Sequence, residues 1–153
     1  MKGIILYTFL LMVCLMSCEK SIKQKIAMNV EKKCSGFDSC IFNMKEITDF
    51  NWDKLYLFKE GTSLEDINKA LGFNYPYFTD IANRIIFVKD HTIAYHEDEF
   101  IDPEAKPKSN VSFDIYNDTV PYYVFNLNNA IFHVRKKINN GNKYFVLTPI
   151  RHD

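Results

Sequence analysis

Glycine and proline are scarce in this 153-residue chain, at five each. That removes collagen-like and low-complexity readings, which need far more of one or the other. An excess of one charge is also missing, since 19 basic residues face 19 acidic ones. A nucleic-acid binder usually carries a basic surplus and an acidic disordered tail the reverse, so neither class fits. Several chemical signatures are absent too. No serine stands in a G-x-S-x-G elbow, no glycine-rich loop could cradle a phosphate, and no H-E-x-x-H pair offers a zinc site. Beyond the first seventeen residues no apolar run approaches membrane-spanning length.

What is present begins at the N-terminus. Lys2 supplies a short positive segment, Ile4 to Met16 carries no charge, and Glu19 and Lys20 end the apolar stretch. A helix of that length rises about 20 Å, against a hydrocarbon core of about 30 Å. The run therefore suits the apolar part of a signal peptide better than a spanning anchor. It closes Leu15-Met16-Ser17-Cys18, which resembles the lipobox of bacterial lipoproteins: an apolar residue three before the cysteine, a small residue just before it, then the cysteine. The resemblance implies that residues 1–17 are a signal peptide and that Cys18 is the mature N-terminus with diacylglycerol on its sulfur. It also implies a place in the cell envelope, tied to a bacterial membrane. The outer membrane is the expected one, with the domain on its periplasmic or surface face. Each buried methylene contributes about 0.8 kcal/mol, so several acyl chains on one cysteine would hold the chain essentially permanently.

With Cys18 acylated, Cys34 and Cys40 remain, and Gly36 between them helps the chain turn tightly. An oxidising compartment favours pairing them, so a disulfide is expected. A Cys-x5-Cys spacing is poor evidence for a redox or metal site, which favours tighter pairs. Residues 18–33, lysine-rich and polar, read as the lipidated cysteine and a tether with a brief helix as an option, and 34–153 as one globular domain. The thirteen Phe and nine Tyr supply ample core material for it.

Within that domain, residues 39–58 read as two extended segments around a turn. Thr62 to Gly72 is the clearest helix. Thr62 and Glu65 have capping-box spacing, Leu64, Ile67 and Leu71 share a face, and Gly72 suits the left-handed position that ends a helix. Residues 84–89 and 92–97 read as a hairpin around Asp90-His91, followed by a charged, proline-containing loop over 98–110. Residues 111–116 form a strand to which 122–126 could pair back. A final hairpin joins 130–138 to 143–148 across Asn139-Asn140-Gly141-Asn142. The sum is an α+β domain: an antiparallel sheet of about six to eight short strands with one main helix packed on it.

Candidate chemistry is thin. His91, His96, Glu97, Asp98 and Glu99 are the densest set of would-be ligands, but side chains alternate along a strand. His96 and Glu97 should therefore face opposite ways, and no metal site is expected. No cofactor, small-molecule ligand or nucleic acid is implied. Trp52, Tyr75, Tyr77 and Tyr122 are candidate partner-binding aromatics, since Trp and Tyr dominate interface hot spots; the alternative for each is core packing. Asp118-Thr119-Val120 resembles an acceptor motif for O-glycans in some bacterial envelopes, which would place a sugar on Thr119.

Residues 50–58 (Phe-Asn-Trp-Asp-Lys-Leu-Tyr-Leu-Phe) followed by 62–73 look like a pattern in small bacterial lipoproteins without an assigned activity. Gly61 to Gly72 is also similar to a helix in the small accessory lipoprotein of the outer-membrane β-barrel assembly machinery. That family sets two helices before its strands. The reading that follows is a membrane-anchored, non-enzymatic protein-binding or envelope-accessory module. Two others stay open: an immunity-type lipoprotein that neutralises a toxin or hydrolase, and an envelope hydrolase using His91, His96, Glu97 and Glu99.

Overall fold

The computed structural model describes residues 20–100, 110–115, 120–139 and 141–150. Cys18 and Thr119 lie outside them. The first described element is a helix, α1 (Ile22–Lys33), where a tether is expected from composition. Its start is a capping box: the Gln24 amide donates to Ser21 Oγ (3.3 Å) and the Ser21 amide to Gln24 Oε1 (3.1 Å). Lys32 and Lys33 in its last turn suit the negative end of the helix dipole. Ile22, Ile26 and Val30 recur every fourth residue and are buried, with Lys23 buried beside them, so one narrow apolar stripe carries the helix into the core while Lys32 and Lys33 stay exposed. The tether reading of residues 19–33 is therefore corrected from Ile22 onward.

The chain continues through β1 (Ser39–Asn43), a 3₁₀ turn over Met44–Glu46, β2 (Lys54–Phe58), α2 (Leu64–Leu71), β3 (Ala82–Lys89), β4 (Thr92–Phe100), β5 (Val111–Phe113), β6 (Tyr122–Asn126), β7 (Ile131–Asn139) and β8 (Asn142–Pro149). The architecture is α+β, as expected, with eight strands among the described residues. The strands form two four-stranded sheets in place of one, ordered β1-β7-β8-β5 and β4-β3-β2-β6. Three local expectations change with them. β1 and β2 belong to different sheets. β6 pairs with β2 instead of returning to β5. β5 runs parallel to β8, with Val111 beside Phe145 and Phe113 beside Leu147.

The two local hairpins form as their turn residues demand. Asp90 (φ 47°) and His91 (φ 60°) both take positive φ between β3 and β4, the backbone of a two-residue turn whose twist matches its strands. Gly141 (φ 77°) opens the return into β8. α2 starts one residue later than its capping-box spacing suggests. Ser63 is the cap, accepting from the Asp66 amide at 3.1 Å. The Thr62 hydroxyl is already engaged with the carbonyls of Lys59 (2.8 Å) and Pro121 (3.3 Å). Gly72 (φ 80°) ends the helix.

Alternation along the strands builds two cores. Phe42, Phe132, Val134, Phe145 and Leu147 of the first sheet meet Leu55, Leu57, Ile85, Phe87 and Phe125 of the second, with the α1 stripe and Trp52 among them. The opposite face of the second sheet carries Tyr56, Phe58, Ile86 and Val88 under Ile67 and Leu71 of α2. The opposite face of the first sheet, including Ile41 and Arg135, has no helix over it among the described residues. Cys34, at the end of α1, and Cys40, on β1, stand at disulfide distance with Cα atoms 5.8 Å apart.

Candidate functional site

Register fixes which side chains meet on the α2-covered face of the second sheet. Across β3 and β4, Ala82 faces Phe100, Arg84 faces Asp98 and Ile86 faces His96. The sheet side chains Arg84, Asp98 and His96 thereby meet the segment that follows α2, which brings Tyr75, Tyr77, Phe78 and Thr79 to the same place. The result is a compact cluster of polar and aromatic side chains.

Arg84 is its centre. The guanidinium is buried, its Nε lies 3.3 Å from Asp98 Oδ1, its Nη2 donates to Thr79 Oγ1 at 3.3 Å, and its plane sits 4.7 Å from the Phe78 ring centroid. Thr79 in turn donates to Asp98 Oδ2. A buried arginine needs such company, because an uncompensated charge in the interior costs several kcal/mol. Tyr75, also buried, places its hydroxyl 3.5 Å from His96 Nδ1. Burial and the neighbouring Asp98 carboxylate push the Tyr75 phenol up to about 12. Tyr77 stacks on His96 with centroids 4.1 Å apart and 10° between planes, meets Tyr75 edge-on and is half exposed.

The opposite-facing residues of β4 make a second construction. Glu97 Oε2 accepts from the Ile22 amide (3.0 Å) and from the Tyr95 hydroxyl (2.8 Å), and Tyr95 also accepts from the Ile22 amide (3.0 Å). Glu99 pairs with the buried Lys23 ammonium. A carboxylate on the first free amide of a helix satisfies an orphan donor and complements the positive end of the dipole. The start of α1 is thus locked to the edge strand β4.

Of the residues singled out in the sequence, Tyr75, Tyr77, His96 and Asp98 come together, and Glu97 points to the other side of β4 as strand alternation requires. His91 occupies the β3–β4 turn, and no group of three or more His, Cys, Asp or Glu among the described residues could hold a metal ion. Trp52 is not a surface anchor. It is buried between the sheets, edge-on to Phe87 at 5.2 Å, and its indole N–H donates to Thr48 Oγ1 at 2.9 Å. Tyr75 is likewise interior, so a partner would find Tyr77 first. Tyr122, half-buried at the far edge of the second sheet, packs on Phe58 at 5.2 Å and does not join the cluster. Phe78, next to Tyr77 in an aromatic run, is visible in the sequence; Arg84 and Thr79 carry no local signal of a site. An arginine at the start of an apolar strand signals burial only once its cross-strand partner, Asp98, is known.

Comparison of the chain with protein-family models, curated proteins and solved structures found no match in any of the three.

Proposed function

We propose that this chain is a lipid-anchored lipoprotein of the bacterial cell envelope, acting as a non-enzymatic accessory module that binds a partner protein. The observation that carries the reading is the charge-free run that ends Leu15-Met16-Ser17-Cys18, too short to cross a bilayer and closed by a thiol that can take acyl chains. Two features of the domain support it. Cys34 and Cys40 stand at disulfide distance, which suits an oxidising compartment. The outer face of the first sheet, with Ile41 and Arg135, has no helix over it among the described residues, which leaves an open surface for a partner.

The test has two arms. Mass spectrometry of the protein recovered from membranes should find an acylated cysteine at the mature N-terminus, and Cys18→Ser should leave an uncleaved, unacylated precursor. A native protein starting at Met1 or Lys2 ends the anchor reading. For the partner, photo-crosslinkers at Ile41 and Arg135, on the uncovered face of the first sheet, should capture the same protein repeatedly in intact cells. Detection of substrate turnover abolished by His96→Ala or Glu97→Gln would instead make the chain an enzyme.

A further inference from the structure

Three exposed apolar side chains, Tyr77 (50% exposed), Ile81 (62%) and Phe100 (53%), lie along the β3–β4 pair, from its middle to the end where β4 finishes. Phe100 is the cross-strand partner of Ala82, the residue after Ile81. Tyr77 lies on His96, which shares a strand face with Phe100. Ile81 takes φ 58°, a left-handed conformation that β-branched residues rarely accept. A strained backbone that presents an apolar side chain to solvent points to a role for that side chain at the surface.

The start of α1 packs on the other face of the same edge strand, through Glu97 and Tyr95 on the Ile22 amide and Glu99 on Lys23, so patch and anchor flank one sheet edge. From Cys18 to Ile22 the extended chain reaches at most about 14 Å. A lipid on Cys18 would therefore keep the β4 edge of the domain within reach of the headgroups. We infer that Tyr77, Ile81 and Phe100 form a membrane-contact patch that seats the domain on the bilayer holding its own anchor. The inference rests on the lipid-anchor reading of Cys18. It gives the aromatic patch to lipid and leaves a protein partner to another face. Ile81 and Phe100 suit the boundary between headgroups and acyl chains, and the Tyr77 ring, apolar with a polar tip, suits the headgroup level. Lys20, exposed just before α1, adds attraction to anionic lipid.

The experiment uses the full chain purified with its lipid and reconstituted in phosphatidylethanolamine–phosphatidylglycerol vesicles. Tyr77→Cys, Ile81→Cys and Phe100→Cys each carry an environment-sensitive fluorophore. Ile138→Cys, 70% exposed beside the β7–β8 turn, is the control, and the labelled parent protein reports any background from native thiols. All four positions are exposed, so labelling leaves the core intact. The expected result is a blue-shifted emission that is lost to doxyl-lipid quenchers at positions 77, 81 and 100 but kept at 138. Acylated Cys18 with no quenching at the three positions, or equal quenching at 138, overturns the patch while the anchor stands. Shielding that depends on protein concentration and not on lipid gives the patch to a second copy and overturns it too. An unacylated Cys18 in the same mass spectrum removes the anchor and the inference built on it.

Discussion

Truncation of Ile26 separates a structural α1 from a tether. The Ile26 side chain is wholly buried against both sheets, whereas Met28, two residues on, is 54% exposed. Removing three carbons from a closed site forfeits their transfer free energy and leaves a cavity, and Ile→Ala changes of this kind cost about 2–5 kcal/mol. We expect Ile26→Ala to lose about 3 kcal/mol and Met28→Ala less than about 0.5 kcal/mol. Native domains are stable by only about 5–15 kcal/mol, so the first loss is a large share of the total. Equilibrium urea unfolding is a direct assay, because Trp52, the sole tryptophan, is buried in the same core and reports its opening. With a slope of about 1–3 kcal/mol per molar urea, the midpoint should fall by about 1–3 M at unchanged slope. A shift for Ile26→Ala as small as that for Met28→Ala would refute the packing of α1 and restore residues 19–33 to the role of spacer.

Three other outcomes follow from the cluster and its rim. Asp98→Ala should cost about 3–5 kcal/mol, because it leaves the Arg84 charge buried without its carboxylate, and the double change Arg84→Met with Asp98→Leu should cost less than the single one. A single variant within about 1 kcal/mol of the parent would show that the pair is not truly interior. Ile81→Gly should raise stability by about 0.5–1 kcal/mol, since glycine accepts the positive φ and little apolar contact is lost; thermal unfolding checks the sign, and a lowered Tm contradicts the strain. The raised Tyr75 phenol stabilises the fold fully below its unfolded value near 10, and this contribution is lost as pH climbs from about 10 toward about 12. Alkaline unfolding in that window should therefore flatten in Tyr75→Phe, and a late phenolate absorbance step should vanish with it.

Local chemistry made some of this fold readable and long-range pairing hid the rest. Asp90-His91 and Asn139 to Asn142 announce their hairpins because a two-residue reversal depends on the residues that make it. α2 was legible for the same reason, down to Gly72. Its cap moved from Thr62 to Ser63 because the Thr62 hydroxyl is claimed by carbonyls, one of them on Pro121, and no local pattern could show that. The packing of α1, though not the chance of a short helix, is hidden by its composition, since three buried apolar residues among lysines average out as a polar segment. The division into two sheets depends on β1 meeting β7 and β2 meeting β6, pairings that strand patterns alone do not encode. The candidate cluster was half visible. Aromatics and β4 ligands stood out in the sequence, but the Arg84–Asp98 register that unites them exists only in the folded sheet.

The interior is closed by both extremities of the described chain at once. Glu31 of the first helix meets Lys143 of the last strand, 112 residues away, and Ile26 and Val30 share their core with Phe145 and Leu147. Phe42, Leu55, Leu57, Ile85 and Phe87 begin the burial of α1, and the final hairpin completes it. Closing such distant loops is slow, on a timescale of about milliseconds to seconds for sheet-rich domains. Loss of either extremity would open the same interior, and neither end can be trimmed into α1 or β8 without exposing the core of the other.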